Sequence, residues 1–221
     1  MILKKDFFDR DAVEVAKHLL GKVLCVKYQQ HWLAAMIIET EAYYLAEKAS
    51  HASLGFTEKR KALFMPAGTI YMYHSRGGDS LNISCHGEGN AVLLKAGMPY
   101  FERKNFEEMV AIMHQLNPRK NSEQQRQVEK LCAGQTLLCK SLGLKIKDWD
   151  QKQFALDKFY FEDIDYRPSK IIQTTRLGIT SGRDEHLPYR FIDFQYAQYC
   201  TDNPLKKRKW QENKEFRVIT A

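Results

Sequence analysis

Cysteine is scarce in this chain, and its arrangement excludes two common roles. The 221 residues include only five cysteines, an odd number, and no two of them have C-x-x-C spacing. A disulfide framework would need an even, patterned set, and a zinc knuckle would need the close pairs. We therefore expect reduced thiols and an intracellular protein.

Long apolar runs and metal-ligand motifs are missing as well. No stretch approaches the roughly 20 apolar residues that span a bilayer, and residues 1–13 lack the apolar centre of a signal peptide. The seven histidines show no metal-ligand spacing, and neither H-E-x-x-H nor G-x-S-x-G occurs. We expect a cytoplasmic protein without membrane association and without a metal.

Positive charge is present in excess. Lysine and arginine number 34 against 27 acidic residues, which gives a formal net charge of +7 and a pI of about 9.1. This balance is consistent with an anionic partner such as nucleic acid, and ordinary solubility charge explains it equally well. The hydrophobic fraction of 44% is enough to fill the core of one large domain.

Apolar periodicity predicts interleaved strands and helices with no linker between domains. Residues 9–20 have helical spacing, with Asp9 or Asp11 as the cap, and the β-rich segments 22–28 and 32–40 predict an antiparallel hairpin. The pattern predicts one α+β domain over residues 1–221 around a mostly antiparallel sheet, with a charged C-terminal tail at 205–221. The other predicted elements are a loop at 44–62, a strand at 69–73, a loop or hairpin at 74–90, a strand at 91–96, helices at 104–116 and 122–145, and strands from about 155 onward.

The segment ETEAY places Glu39, Glu41 and Tyr43 on one face of a predicted strand, because alternate residues of a strand share a face. Two carboxylates on one face repel each other, so we expect one to leave the core for a site or a cationic partner. In a cleft beside aromatic rings, Glu41 would be partly desolvated and suited to general-base catalysis. The alternative is that both glutamates are solvated on an edge strand.

Aromatic residues follow this segment closely. Tyr43, Tyr71 and Tyr73, together with His51, are able to sandwich a planar ligand, and stacking on a nucleic-acid base contributes roughly 1–3 kcal/mol. The alternative for Tyr71 and Tyr73 is packing within a half-buried strand, which tyrosine does well.

Several segments occur together in a specific order. They are "LLGKVL" (19–24), "IIETEAY" (37–43), "ASHAS" (49–53), "LFMPAGTIYMY" (63–73), "LNIS" (81–84), "AVLLKA" (91–96), "LCAGQTLLCKSLGL" (131–144) and "TTRLGI" (174–179). In this order they resemble the alkyladenine (3-methyladenine) DNA glycosylases, from about Phe7 to Arg190. ETEAY followed by P-x-G-T-x-Y-x-Y is the most specific part of the resemblance.

The resemblance implies a fold and an activity. The fold is a single compact α+β domain, with a mostly antiparallel curved sheet surrounded by helices and a hairpin that enters the minor groove. The activity is that of a monofunctional DNA glycosylase, which flips an alkylated or deaminated purine out of duplex DNA and hydrolyses the N-glycosidic bond with an activated water. The implied partner is double-stranded DNA with damaged purines, and the enzyme is expected to be a monomer that needs no metal, no cofactor and no lysine Schiff base.

The resemblance also implies roles for particular residues. Glu41 matches the general base that activates the attacking water. Tyr43, His51 and Tyr73 match the residues that enclose the flipped base. Asn82 matches an asparagine on the pocket wall that disfavours normal guanine through its exocyclic amine.

Three places depart from the family pattern. Arg76 lies near the position of a tyrosine that wedges into the gap left by the flipped nucleotide, and we expect Arg76, or next His74, to fill that gap. Lys95 stands in place of a catalytic-site arginine and lacks a planar bidentate donor. Lys59 and Arg60 replace an arginine–asparagine pair, and we expect them to contact the DNA backbone.

Two other functions remain open from the sequence. One is a non-catalytic or altered-specificity nucleic-acid-binding protein of the same fold, which the changes around Arg76 motivate. The other is an unrelated small-molecule hydrolase that uses Glu41 in an aromatic pocket. The basic segment KKRKW (206–210) is either a DNA-backbone contact or a solvated end.

Overall fold

Strand β2 (His31–Tyr43) is the centre of the sheet in the computed structural model, which describes residues 1–75, 77–120 and 122–220. Strand β1 (Val23–Tyr28) pairs with its first half in antiparallel register, from Val23↔Met36 to Tyr28↔His31. The predicted hairpin is therefore confirmed, although β2 extends three residues further than the sequence pattern indicated.

The remaining strands extend the sheet on both sides of β2. Within the part of the chain that the structure describes, nine strands form one sheet, and every pairing between them is antiparallel. The main order is β3-β4-β5-β2-β8-β7-β9, and β1 joins β2 to β6. The further strands are β3 (Ile70–Ser75), β4 (Gly78–Ser84), β5 (Ala91–Pro99), β6 (Phe159–Glu162), β7 (Lys170–Thr174), β8 (Arg190–Asp193) and β9 (Phe216–Thr220).

Strand β2 is covered on both faces. Its residues are buried without interruption from Leu33 to Ala42, and successive side chains of a strand point to opposite faces. β5 pairs along one edge, while β1 and then β8 pair along the other. The interpretation of Glu39 and Glu41 as solvated residues on an edge strand is therefore wrong.

Five α-helices, within the described residues, pack around the sheet. Helix α2 begins directly after Asp11, whose carboxylate accepts hydrogen bonds from the amides of Val13 and Glu14, so Asp11 is the cap that the sequence left open between two aspartates. The helices are α1 (Lys5–Phe8), α2 (Ala12–Leu19), α3 (Phe106–Leu116), α4 (Gln135–Ser141) and α5 (Ile146–Trp149).

The helix predicted at 122–145 is only partly correct. Residues 122–127 are not helical, residues Val128–Lys130 form a short 3-10 helix, and α4 follows after Gly134. Residues 122–127 are almost entirely polar and exposed, and a segment without an apolar stripe has no face to pack against a core.

Two segments contain more regular structure than the sequence indicated. The stretch predicted as a loop at 44–62 contains the 3-10 helix Ala52–Leu54 and the start of a second, Glu58–Phe64. For the segment 74–90, predicted as a loop or hairpin, the hairpin is confirmed, since β4 (Gly78–Ser84) pairs with β3 from Ile70↔Ile83 to Ser75↔Gly78. In the C-terminal tail, β9 pairs with β7 at the end of the sheet.

The protein has one main hydrophobic core and a smaller second one. The main core lies between the sheet and the helices. The second packs the two 3-10 helices against β3 and β5, and its members are Ala52, Ala62, Leu63, Tyr71 and Ala91. No helix of the described residues is long and apolar enough to cross a membrane.

Candidate active site

Strand β2 carries two buried carboxylates that have different partners. Glu39 is completely buried, and the guanidinium of Arg190 donates to its Oε1 at 2.7 Å. Thr201 completes the arrangement, because its hydroxyl donates to Oε1 at 2.6 Å and its amide donates to Oε2 at 3.0 Å. Glu39 is therefore a structural residue that ties β2 to β8 and to the segment after it.

A bulge directs Lys95 towards Glu41. The pairing of β2 with β5 shifts between Glu39↔Ala96 and Thr40↔Leu94, so that Lys95 is the extra residue on β5. Bulges commonly re-aim one side chain beside a site. Here Lys95 Nζ lies 3.1 Å from Glu41 Oε1, and both side chains are buried.

Two further groups hold the Glu41 carboxylate. The Tyr43 hydroxyl donates to Oε2 at 2.7 Å, and the amide of Leu177 donates to Oε1 at 3.2 Å. Burial alone would raise the pKa of Glu41, but the charges of Lys95 and Arg190 and these two hydrogen bonds outweigh it, so that the pKa is lowered. Glu41 is therefore an ionised carboxylate at neutral pH.

Lys95 is itself positioned by a chain of polar side chains. Its ammonium donates to Gln135 Oε1 at 3.1 Å, and Gln135 Nε2 donates to the Ser80 hydroxyl at 2.8 Å. Gln135 is the first residue of α4 and Ser80 lies on β4. Sequence reasoning missed Gln135, although it lies within the segment "LCAGQTLLCKSLGL", because no local pattern shows that α4 reaches Lys95.

A pocket with a volume of about 290 Å³ opens in front of Glu41. The three residues that contact the Glu41 oxygens, namely Tyr43, Lys95 and Leu177, all line this pocket. The carboxylate is completely buried and lies directly behind them. The structure also brings the other predicted pocket residues, His51, Tyr73 and Asn82, to the same wall.

An aromatic cluster forms one side of the pocket. The ring centroids of His51 and Tyr73 lie 4.4 Å apart, and His51 Nδ1 lies 2.9 Å from the Tyr71 hydroxyl. Tyr71 and Tyr73 lie 5.6 Å apart with their planes tilted by 32°. Partial burial, together with the charges of Arg60 and Arg183, lowers the pKa of His51, so this imidazole is neutral at pH 7.

Asn82 lies deep in the same wall. It is 5% exposed, and its Nδ2 donates to the backbone carbonyl of Tyr71 at 3.3 Å. This bond across the β3–β4 hairpin restrains the amide, and Asn82 is among the residues that line the pocket. A fixed amide is suited to distinguish donor and acceptor groups on a ligand.

Tyr43 is supported from behind by an arginine that the sequence did not single out. The guanidinium carbon of Arg176 lies 4.5 Å from the centroid of the Tyr43 ring. Arg176 also forms an ion pair with Glu47 and donates to the carbonyl of Ala42 at 2.9 Å. These contacts hold the end of β2, and with it the Tyr43 ring, in one position.

Two of the residues expected to contact DNA, His74 and Lys59, have exposed side chains. His74 is exposed near the end of β3, with Nδ1 at 2.9 Å from Asp79 Oδ1 on the opposite strand. Lys59 is exposed in the second 3-10 helix. Arg76, the expected wedge, lies outside the described residues.

Arg60 has a local role in the structure. Its Nε donates to the carbonyl of Gly55 at 2.8 Å, and its Nη2 donates to the carbonyl of Leu54 at 3.1 Å. These bonds hold the end of the first 3-10 helix and the loop that follows it, and Leu54, the last residue of that helix, lines the pocket. Arg60 therefore shapes the pocket entrance.

Comparison with known proteins defines the class of this molecule. Residues 6–196 match the family model described as methylpurine-DNA glycosylase (MPG). An ionised carboxylate behind an aromatic pocket, carried by a single α+β domain, agrees with that match. The chain belongs to the methylpurine-DNA glycosylase family, and it is thus a DNA glycosylase, a hydrolase of N-glycosyl bonds that serves DNA repair by base flipping.

Curated relatives cover nearly the whole chain. A Pseudomonas syringae pv. tomato protein named "Putative 3-methyladenine DNA glycosylase" is 58% identical over 205 residues, 93% of this chain and 92% of the relative. A Pseudomonas aeruginosa protein of the same name is 56% identical over 205 residues, 93% of this chain and 85% of its own. A more distant one from Methanocella arvoryzae is 34% identical over 197 residues, 87% of this chain and 92% of its own.

Proposed function

We propose that this enzyme removes 3-methyladenine and related alkylated purines from double-stranded DNA. The damaged nucleotide rotates out of the duplex and its base enters the pocket between Tyr43, His51 and Tyr73. The observation that carries the proposal is the completely buried Glu41 carboxylate, whose lowered pKa keeps it ionised and whose three contacting residues all line an aromatic pocket.

In the proposed reaction Glu41 acts as the general base. It removes a proton from a water molecule as the water oxygen forms a bond to C1′ of the sugar. The bond between C1′ and the purine nitrogen breaks, and its electron pair leaves with the base, so that an N3- or N7-alkylated purine cation departs as a neutral molecule. The sugar passes through an oxocarbenium-like state, which the carboxylate also stabilises, and a positioned base contributes typically 10²–10⁴-fold.

The contacts of Glu41 suit this role. Lys95, Tyr43 and Leu177 supply three contacts to the carboxylate oxygens, and a carboxylate has about four lone-pair sites. Counted over the described residues, these contacts leave room for one further donor, and we propose that the attacking water supplies it. Burial and the neighbouring carboxylate raise the pKa of Tyr43 well above its usual value, so that its hydroxyl stays protonated and continues to donate.

The pocket walls suit a cationic, planar base. Electron-rich aromatic rings attract cations over their faces, and a neutral His51 adds no repelling charge. We propose that the Asn82 amide disfavours normal guanine by meeting its exocyclic amine. A neutral deaminated purine such as hypoxanthine gains less from the rings, and we propose it as a second, slower substrate.

We further propose how DNA is held. Arg76 fills the gap left by the flipped nucleotide, with His74 beside it, and Lys59 contacts the sugar-phosphate backbone near the pocket entrance. The family resemblance supports the wedge assignment, and the exposure of His74 and Lys59 supports their access to DNA. We propose a single-domain monomer that works in the cytoplasm on chromosomal DNA.

Release of free base from defined duplexes tests the function. Duplexes carry 3-methyladenine, 7-methylguanine or hypoxanthine at one position, the control carries adenine, and the released base is identified by mass spectrometry. We expect release of the methylated bases, slower release of hypoxanthine and none of adenine. Tight duplex binding without release of any base would favour the non-catalytic alternative. Absence of DNA binding, with hydrolysis of free nucleosides, would favour the small-molecule hydrolase.

A further inference from the structure

A second concavity adjoins the turn of the β3–β4 hairpin. It has a volume of about 510 Å³, and none of the described residues lines both it and the active-site pocket. Ser75, before the turn, lines the active-site pocket, while Gly77, after it, lines the second concavity. Helix α4 shows the same division: Gln135, its first residue, lines the active-site pocket, while Lys140, near its end, lines the second concavity. The hairpin and α4 therefore stand between the two.

The charged lining residues of this concavity are all basic. They are Arg119, Lys120, Arg126 and Lys140, and we call the concavity the basic groove. Among the described residues that line it there is no acidic side chain. Glu123 lines a neighbouring depression that shares Arg119 and Arg126.

These four cations are free of carboxylate partners within residues 1–75, 77–120 and 122–220, where none of their side chains forms an ion pair or a hydrogen bond. Arg126 is the clearest case, because its Nε is buried without a hydrogen-bond partner in that part of the chain. An unpaired buried donor is unfavourable by about 1–3 kcal/mol, and more for a charged group. Arg190, in contrast, has its Nε paired with Glu39, and Arg176 forms an ion pair with Glu47 although its own Nε is likewise buried without a partner among the described residues. The basic groove is thus ready for an external anion.

The position of the basic groove next to the hairpin indicates which anion it binds. On the proposed function, the active-site pocket holds the flipped nucleotide of the damaged strand, and the hairpin turn enters the minor groove. The minor groove of DNA is only about 6 Å wide, with one sugar-phosphate backbone on each side. If the damaged strand lies on the pocket side of the turn, the complementary strand lies on the other side.

We propose that the basic groove binds phosphates of the complementary, undamaged strand opposite the lesion. Arg126 and Lys140 form its inner contacts, and the exposed Arg119 and Lys120 form its outer contacts. The enzyme then holds one DNA strand on each side of the hairpin, the damaged strand at the active-site pocket and the complementary strand at the basic groove. This inference rests on the proposed function and adds a preference for duplex over single-stranded substrate.

Paired charge-neutralising variants test the groove. Arg126→Gln/Lys140→Gln removes the inner contacts, and Arg119→Gln/Lys120→Gln removes the outer ones from exposed positions where folding is unaffected. The control, Lys27→Gln/Lys158→Gln, removes two exposed charges from β1 and the turn before β6. In the sheet order, β1 and β6 are separated from the hairpin by β2 and β5.

Binding is measured against salt concentration on a lesion-containing duplex and on the same damaged strand alone. Each lost phosphate contact should reduce the log–log salt slope on the duplex by about 0.9. For both groove variants we expect about tenfold weaker duplex binding and unchanged single-strand binding, whereas the control should match the wild type. Equal loss on duplex and single strand, or no loss on either, would overturn the proposal.

Neutral methylphosphonate linkages locate the contacted strand directly. Placed opposite the lesion in the complementary strand, they should weaken wild-type binding and have little further effect on Arg126→Gln/Lys140→Gln. Placed in the damaged strand, they should weaken binding by the wild type and the variant equally. If instead the variant were insensitive only to linkages in the damaged strand, the basic groove would contact that strand, which would contradict the inference. A wild-type enzyme that releases no base would instead refute the proposed function, so the two failures are distinguishable.

Discussion

Lys95 Nζ lies 3.1 Å from Glu41 Oε1, and the two side chains form a buried ion pair between neighbouring strands, in which Glu41 is completely buried. Buried pairs of this kind are weak stabilisers, because removing both charges from water offsets much of their attraction. What the pair does achieve is to keep a buried carboxylate ionised. A wholly buried glutamate without a cation would take up a proton and lose its ability to accept one from water.

The first prediction separates the two glutamates of β2. Glu41→Gln should lower single-turnover excision by at least about 10²-fold, in line with loss of a general base, while duplex binding persists. Glu39→Gln breaks the buried pair with Arg190, and breaking such a pair is unfavourable by about 3–5 kcal/mol. Its effect should therefore appear in the melting temperature, with the folded fraction still active. Loss of activity in Glu39→Gln alone would show that the general base has been assigned to the wrong residue.

The second prediction concerns pH. Glu41 accepts a proton only when ionised, so excision should fall as the pH drops through its pKa. Lys95→Met removes one of the charges that oppose the effect of burial, so the pKa of Glu41 should rise and the acidic limb of the rate profile should move to higher pH. Lys95→Arg keeps the charge and should leave the limb in place. If the acidic limb of the rate profile stayed at the same pH in Lys95→Met, a group other than Glu41 would be responsible for it.

The third prediction concerns the wedge assigned to Arg76. Arg76→Ala should weaken binding to lesion-containing duplex more than to plain duplex and should slow excision, because a flipped nucleotide returns when the gap it leaves is empty. Arg76→Tyr, which restores the family residue, should hold or raise the rate. A fluorescent base analogue next to the lesion reports the unstacking of the neighbouring bases. If Arg76→Ala changes neither this fluorescence nor the excision rate, Arg76 is not the wedge and His74 becomes the candidate.

The fourth prediction concerns the packing of the hairpin on α4. A methyl group added at Gly78 would lie 2.8 Å from Thr136 Cβ, which is too close for two carbon atoms. Gly78→Ala should therefore shift the hairpin, destabilise the protein by about 1–3 kcal/mol and slow excision. Thermal unfolding and single-turnover rates measure the two effects.

Gly77 provides the matched control for this variant. It has φ of +76°, and apart from its chain neighbours no described residue has an atom within 4 Å of an added Cβ; asparagine tolerates this left-handed conformation. Gly77→Asn should therefore be nearly neutral in stability. If Gly77→Asn and Gly78→Ala were equally destabilising, backbone conformation rather than contact with α4 would explain the glycines.

Local patterns predicted most of the elements near the site. The β1–β2 hairpin, the strand that carries Tyr71 and Tyr73, and the strand that carries Lys95 all follow from runs of apolar and β-branched residues. The predicted helix at 122–145 is wrong over residues 122–127, because this polar, mostly exposed segment has no apolar stripe to pack against the core. Strand β4 has only a weak local signal, because glycine and serine are frequent in the stretch around it and the pattern therefore predicts no more than a loop or hairpin.

The sequence by itself determined the family, the α+β class and the candidate base. ETEAY followed by P-x-G-T-x-Y-x-Y is a local, ordered pattern, so it is recognisable without any knowledge of which residues are in contact. Only the tertiary structure decided how the two glutamates differ. Glu39 meets Arg190 across 151 positions of the chain, and Glu41 receives the amide of Leu177 across 136. Such contacts depend on β8 pairing beside β2 and on a bulge that turns Lys95 inward, and neither the order of strands nor their register is encoded in any short segment.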